Sequence, residues 1–278
     1  MFRYKQPPLT VSEQRWAYLH ARKKRKIAVN ICRIAVIVIF FTLWELLARV
    51  GVIDSFLMSR PSRIFHTLLR LGSNDLLLHI GVTCFETVIG FTLGVLIGNI
   101  LAFVLWWSDF LSKVTEPYLV VLNALPKIAL GPVIIIWVGA GTQAIIVMAL
   151  AISLIVTVLE MLSGFISTDS ELVKMARTFS ASRWQTFTKI IFPSNLRTLF
   201  NSLKINIGLS LVGVIAGEFL VSKAGLGYLI VYGGQVFQMD FVMTSVLILA
   251  VVAALLYRGI TIAEKLVLSA VSHGKVSQ

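Results

Sequence analysis

The sequence offers few side chains whose types and spacing could do chemistry together. His20, His66, His79 and His273 are scattered, with no carboxylate or cysteine at ligand spacing, so no metal centre is expected. No Ser/His/Asp arrangement can be assembled, so no catalytic residue is expected either. Lys223-Ala-Gly-Leu-Gly227 has too few glycines, and no following Lys-Ser/Thr, for a phosphate loop. Gly274-Lys275 lacks both the glycine loop before it and the hydroxyl residue after it. Cys32 and Cys84 fall in apolar segments without a spacing motif, and they read as packing residues rather than a disulfide or a metal site. One carboxylate stands out. Glu218 lies near the end of an apolar run, and ionisable groups at such depth face protein or water. It reads either as a pathway residue or as an interfacial structural carboxylate paired with a basic side chain.

The composition explains why so little chemistry is available. Of 278 residues, 57% are hydrophobic and 14% charged, against roughly 25% charged in soluble domains. Mean hydropathy is +0.88. One soluble core could not hide that much apolar surface, so an integral membrane protein is expected. The formal charge is +12, from 25 basic and 13 acidic residues. In a membrane chain such charge belongs to loops and ends, where it sets topology and meets lipid headgroups; no nucleic-acid partner is implied.

Six spans can be drawn along the chain. Residues 1–30 form a basic arm containing Arg15, Arg22, Lys23, Lys24, Arg25 and Lys26, expected to lie in the cytoplasm. The first span follows from Ile31 to about Ile53, too long for the h-region of a signal peptide. A short external helix is expected after Ser59-Arg60-Pro61-Ser62. The second span runs from about His79 to Leu105. Gly90, Gly94 and Gly98 fall every fourth residue on one face of it, either to let another helix approach or as the ordinary glycine tolerance of membrane helices. A loop at 106–116 leads to Pro117, which opens a third span to about Val138, interrupted at Leu125-Pro126-Lys127 and Gly131-Pro132. Prolines free backbone carbonyls that only protein or a water-filled cavity can satisfy inside a membrane, so Pro126 and Pro132 mark either a pathway lining or a plain kink. The fourth span covers about Gln143 to Leu162. The fifth, about Leu199 to Val221, carries a second small-residue face at Gly213 and Gly217. Residues 228–240 are amphipathic, and the sixth span covers about Phe241 to Ile262. The expected organisation is the arm 1–30, a transmembrane domain 31–265 and a tail 266–278, with both ends cytoplasmic.

Between the fourth and fifth spans lies a polar loop, about 163–198, that includes the stretch Glu171 to Pro193. Glu171, Leu172, Met175, Ala176 and Phe179 recur at helical spacing. Ser180-Ala181-Ser182 interrupts, and Trp184, Phe187, Ile190 and Ile191 resume the period until Pro193, which is expected to stop the helix. A structured soluble loop between spans is a docking surface. Without a nucleotide site of its own, the chain must borrow its energy there.

This stretch resembles the cytoplasmic "EAA" loop of binding-protein-dependent ABC importer permeases. Ala176 and Pro193 match the second Ala and the terminal Pro of that loop, while Lys174, Met175 and Ser180 stand where the family has Glu, the first Ala and Gly. Ala-Arg-Thr (176–178) and Ala-Ser-Arg-Trp-Gln (181–185) are similar to the nitrate/sulfonate/taurine branch. So, in order, are Ala124-Leu-Pro-Lys-Ile-Ala-Leu-Gly-Pro132, Trp137-Val-Gly139, Gly217-Glu218 and Gly225-Leu-Gly227. The likeness covers nearly everything after residue 60.

The resemblance implies an all-α integral membrane fold of about six transmembrane helices, like the type I ABC importer permeases, in a bacterial plasma (inner) membrane. It implies a second permease copy, two ABC ATPase subunits and an external solute-binding protein, with ATP used by the partner and no cofactor bound by this chain. The helix from about Asp169 to Phe179 would couple to the ATPase, with Glu171, Lys174, Met175, Ala176, Phe179, Ser180 and Pro193 as its loop residues. The solute implied is a sulfonate-, nitrate- or taurine-like anion, or a thiamine-precursor or riboflavin-like compound. Ser180 gives the turn no glycine for a positive φ, although serine can cap the second helix. Two other classes fit the composition: a secondary carrier or channel, which would show ion coupling without an ATPase, and a non-transporting scaffold that recruits a soluble partner.

Overall fold

The computed structural model describes residues 13–71 and 76–274, and all regular structure among them is helical. The start of the expected arm (1–12) and the end of the expected tail (275–278) lie outside the described residues. The chain divides into two compact units, residues 1–66 and 67–278.

In the first unit, α1 (Glu13–Val50) runs without a break from the basic arm into the first span. Lys, Arg and Ala are strong helix formers, so nothing in residues 13–30 ends the helix before the apolar run begins. Near its end, Glu45 accepts from Arg49 Nε at 2.7 Å and from the backbone N–H and hydroxyl of Ser62, each at 3.0 Å. The helix α2 (Pro61–Leu71) follows, with proline at its first position, where a missing N–H costs no helical bond.

The second unit is built around α6 (Thr142–Ile166), which packs against both α3 (Leu76–Trp107) and α10 (Leu196–Val221), themselves in contact. The contacts run through the small residues. A Cβ on Gly90 would stand 2.6 Å from the Ala149 Cβ, and one on Gly213 would stand 2.7 Å from the Ala149 Cα. Gly94 lies against Ser153, Gly98 against Thr157, and Gly217 against Ile145. Lipid tails are as apolar as leucine, so helix association in a membrane depends on such close backbone approach. Helix α12 (Met239–Gly274) packs on α10 and on α11 (Leu226–Gln235), continuing without a break past residue 265. The Lys204 Nζ of α10 reaches Glu264 Oε2 of α12 at 2.6 Å, with both side chains largely buried.

Among the described residues, five helices are long and apolar enough to cross a membrane. A sixth span forms if α4 (Asp109–Ala124) is taken together with the segment Lys127–Val138, which is bent from it by 88°. That segment is a 3₁₀ turn, Lys127–Leu130, followed by α5 (Gly131–Val138). The third span is thus broken at Leu125-Pro126 rather than gently kinked. Its helix also starts before Pro117, because the Ser108 hydroxyl accepts from Leu111 N at 3.3 Å and caps it. Most of the expected 106–116 loop is therefore helical.

Candidate functional site

The polar loop after α6 begins with α7 (Ser170–Thr178), capped by Asp169, whose carboxylate accepts from Glu171 N at 2.9 Å. Ala176 is buried and turns into the chain itself. Leu172, Met175 and Phe179 point the other way and are 39%, 50% and 78% exposed. Glu171 and Lys174 pair at 3.4 Å on the open surface, a contact worth little in water.

The end of α7 is a Schellman turn. Ala181 N donates to Ala176 O at 3.0 Å and Ser180 N to Arg177 O at 2.9 Å. The turn requires a left-handed residue, and Ser180 supplies it at φ 56° without being glycine. Ser182, not Ser180, caps the next helix. Its hydroxyl accepts from Gln185 N at 3.2 Å while Gln185 Oε1 accepts from Ser182 N at 2.8 Å.

The returning half is α8 (Arg183–Thr186), a π turn at Phe187–Ile191, and α9 (Phe192–Ser194). Pro193 does not stop this run, contrary to expectation. The break falls two residues later at Asn195, after which α10 begins. The π turn carries the bond from Phe192 N to Phe187 O, and this wider spacing relieves the clash that proline makes with an α-helical carbonyl before it.

Phe187 sits in an aromatic cluster with Phe103, Trp106 and Phe165, at ring distances of 4.6, 5.0 and 5.3 Å. The Arg183 guanidinium lies 5.2 Å from the Trp107 ring and 5.6 Å from the Trp106 ring. The loop is thereby tied to the end of α3. Phe187 and Trp184 stand out in the helical period, but this anchor does not, because Phe103 and Trp106 lie some eighty positions earlier. A groove of about 670 Å³ opens beside α7, lined in part by Asp109, Lys174, Arg177 and Arg183.

A second cluster surrounds Glu218, which is 2% exposed. Its carboxylate accepts from the Thr83 hydroxyl at 2.6 Å and from Gly227 N at 2.5 Å, rather than pairing with a basic side chain. Thr83 Oγ1 in turn accepts from Leu226 N at 2.8 Å, and His79 Nδ1 accepts from Gly225 N at 2.9 Å. Three backbone donors at the start of α11 are thus satisfied by side chains of α3 and α10, and the carboxylate lies at the positive end of the helix dipole. Glu86 is buried nearby, within interaction range of Glu218 and Thr142, yet neither of its carboxyl oxygens has a hydrogen-bond partner among the described residues.

The remaining expected site residues fall elsewhere in the second unit. Pro126 precedes the 3₁₀ turn. Pro132 lines an apolar cavity of about 570 Å³ together with Ala129, Leu211, Ile215 and Phe219. The structure brings Gly90, Gly94, Gly98, Gly213 and Gly217 together around α6, away from the loop.

Residues 90–272 match the family described as binding-protein-dependent transport system inner membrane component. The chain belongs to this family. It is 28% identical over 222 residues to a probable ABC transporter permease protein of Haemophilus influenzae, covering 80% of this chain and 90% of that one. It is 25% identical over 256 residues to the taurine transport system permease protein of Escherichia coli, covering 87% and 92%. A putative aliphatic sulfonates transport permease of Bacillus subtilis is 24% identical over 218 residues, covering 78% and 79%. The MetNI methionine ABC transporter has a chain of the same fold, with TM-score 0.61 and 21% identity over 70% of this chain and 95% of that one. A bacterial alginate importer has another, with TM-score 0.58 and 17% identity over 89% and 98%. This permease is therefore a multi-pass inner-membrane component of an ABC importer, and its family implies an ATPase and a binding protein as partners.

Proposed function

We propose that α7 and the turn after it are the surface on which an ATPase subunit docks and through which ATP-driven movement reaches the spans. The observation that carries this reading is the stripe Leu172, Met175 and Phe179, an exposed apolar face on an otherwise polar loop. Such a face on a soluble segment favours a partner protein. Ala176 supports the same surface from behind, by letting α7 lie flat on its own chain, while Glu171 and Lys174 shape its charge and Ser180 its turn; Pro193 belongs to the returning half, in α9.

The assembly would contain two permease copies, two ATPase subunits and an external solute-binding protein, with ATP consumed by the ATPase alone. The outward apolar residues of α4, among them Tyr118, Val120 and Val121, would meet the second copy or lipid. The break at Pro126 and the cavity beside Pro132 favour these as pathway residues, because freed carbonyls need protein or water around them. The solute would resemble those named for the relatives, which include sulfonates, taurine, formylaminopyrimidine and riboflavin.

The test is co-purification. Phe179→Asp and Met175→Asp are expected to fold, reach the membrane and lose the ATPase subunit. If both variants retain it at the wild-type ratio, α7 is not the docking surface.

A further inference from the structure

The loop leaves the membrane at the end of α6 and returns at the start of α10, and these two ends are joined. Asn195, 6% exposed, stands between them. Its Nδ2 donates to Thr168 Oγ1 at 2.8 Å and to Ile191 O at 2.9 Å, closing a loop of 27 positions. The Thr168 hydroxyl passes the connection on by donating to Gly164 O at 3.3 Å. Gly164 has no room for more. A Cβ there would stand 2.8 Å from Asn195 Oδ1 and 3.0 Å from Thr198 Cγ2. The backbone of Asn195 serves both neighbouring helices. Its N–H donates to Ile191 O at 3.2 Å, and its carbonyl accepts from Leu199 N at 2.8 Å.

From this geometry we propose that Asn195 and Thr168 are positioning residues that lock the base of the loop, so that displacement of α7 turns α6 and α10 together. This rests on the reading of α7 as the ATPase docking surface and on the paired permease. A long loop held only by its two covalent ends would absorb a push by flexing. A hydrogen bond across its base removes that freedom, and the burial of Asn195 limits competition from water. The aromatic anchor packs Phe187 of the returning half against Phe165 of α6 through apolar contact, and the Asn195–Thr168 bond adds the directional link at the base of the loop. The same clamp explains why the helix break falls at Asn195 rather than at Pro193. Asn195 gives one side-chain bond to Thr168 across the loop and one to Ile191 O on its own side, while its backbone closes α9 and opens α10.

Thr168→Val is the cleanest variant, because it keeps the shape and removes only the hydroxyl, and Thr168→Ser restores the hydroxyl. Asn195→Ala is the second, more disruptive variant. The experiment uses the complete permease–ATPase complex in lipid nanodiscs, with Cys32 and Cys84 replaced by serine. A spin label at Gln143→Cys, exposed at the far end of α6, reports the distance between the two permease copies. The probe is ATP with vanadate, and ATP hydrolysis is measured in the same preparation. Wild type and Thr168→Ser should show a shifted distance on vanadate trapping. Thr168→Val should retain the ATPase subunit and its hydrolysis but lose the shift, and Asn195→Ala should do the same where it folds. An unchanged shift in Thr168→Val overturns the clamp and leaves the docking reading standing. Loss of the ATPase subunit from Thr168→Val also overturns it, since the residue would then serve docking. A wild-type complex with no shift overturns both readings.

Discussion

Glu218 and Gly227 are joined across the turn between α10 and α11 by a carboxylate–amide hydrogen bond of 2.5 Å. Thr83, contributed by α3, completes the same site. The arrangement makes Glu218 an N-terminal cap supplied from outside the helix it caps. It also leaves no room at Gly227, where a Cβ would stand 2.8 Å from both Glu218 Cβ and Oε2. Gly227→Ala is therefore expected to destabilise the permease by about 1–3 kcal/mol. Glu218→Ala should cost about as much, by leaving buried donors unpaired. Thermal unfolding in detergent measures both, and a wild-type midpoint for Gly227→Ala would show that the cap yields freely.

Ser180 offers a test in the opposite direction. Its φ of 56° lies where a side chain is strained and glycine is not. Ser180→Gly should stabilise the turn by about 1 kcal/mol, less the entropy that glycine loses on folding. Ser180→Val should destabilise it by more, because a β-branched residue fits this region worst. Local hydrogen exchange at Ser180 and Ala181, whose amides close the turn, reads the effect directly.

The sequence carried the pieces of this loop better than their joints. The helical spacing of Leu172, Met175 and Phe179, the interruption at 180–182 and the missing glycine at Ser180 are all local signals, and each corresponds to a structural feature. The reach of the returning helix past Pro193 is not legible in sequence, because a π turn depends on which carbonyls packing leaves free and not on residue type. Glu218 was visible as a carboxylate at depth, but its partner Thr83 lies 135 positions away. Nothing in one chain read alone links two such residues. Spans were legible from hydropathy, whereas the 88° break and the early start of α4 depended on capping at Ser108 and on how Pro126 is accommodated.

The glycines around α6 separate close packing from mere tolerance. A side chain on Gly94 would collide with the Ser153 hydroxyl, whereas one on Gly208 meets nothing within 4 Å. Gly94→Val should thus destabilise the permease by about 1–3 kcal/mol. Gly208→Ala should be neutral or stabilising by up to about 1 kcal/mol, as expected for an open helical position. Equal effects of the two substitutions on the melting midpoint would mean that α3 and α6 are not held at contact distance.

Lys204 and Glu264 link α10 to α12 through a pair whose side chains are 17% and 18% exposed. Two charges at this depth are expensive to desolvate, and their attraction repays that cost only while both are present. Lys204→Met alone leaves a carboxylate without its partner and should destabilise the permease by about 3 kcal/mol. Glu264→Leu alone leaves an ammonium in the same position and should cost a similar amount. The double variant removes both charges and fills the space with apolar side chains, so it should lie closer to wild type than either single variant. A double-mutant cycle on unfolding free energy measures the coupling. Strict additivity would show that water reaches the pair and that α10 and α12 are held by their apolar contacts alone. Strong coupling would instead mark this ion pair as a fixed point between the two helices, so that movement of α10 would carry α12 with it.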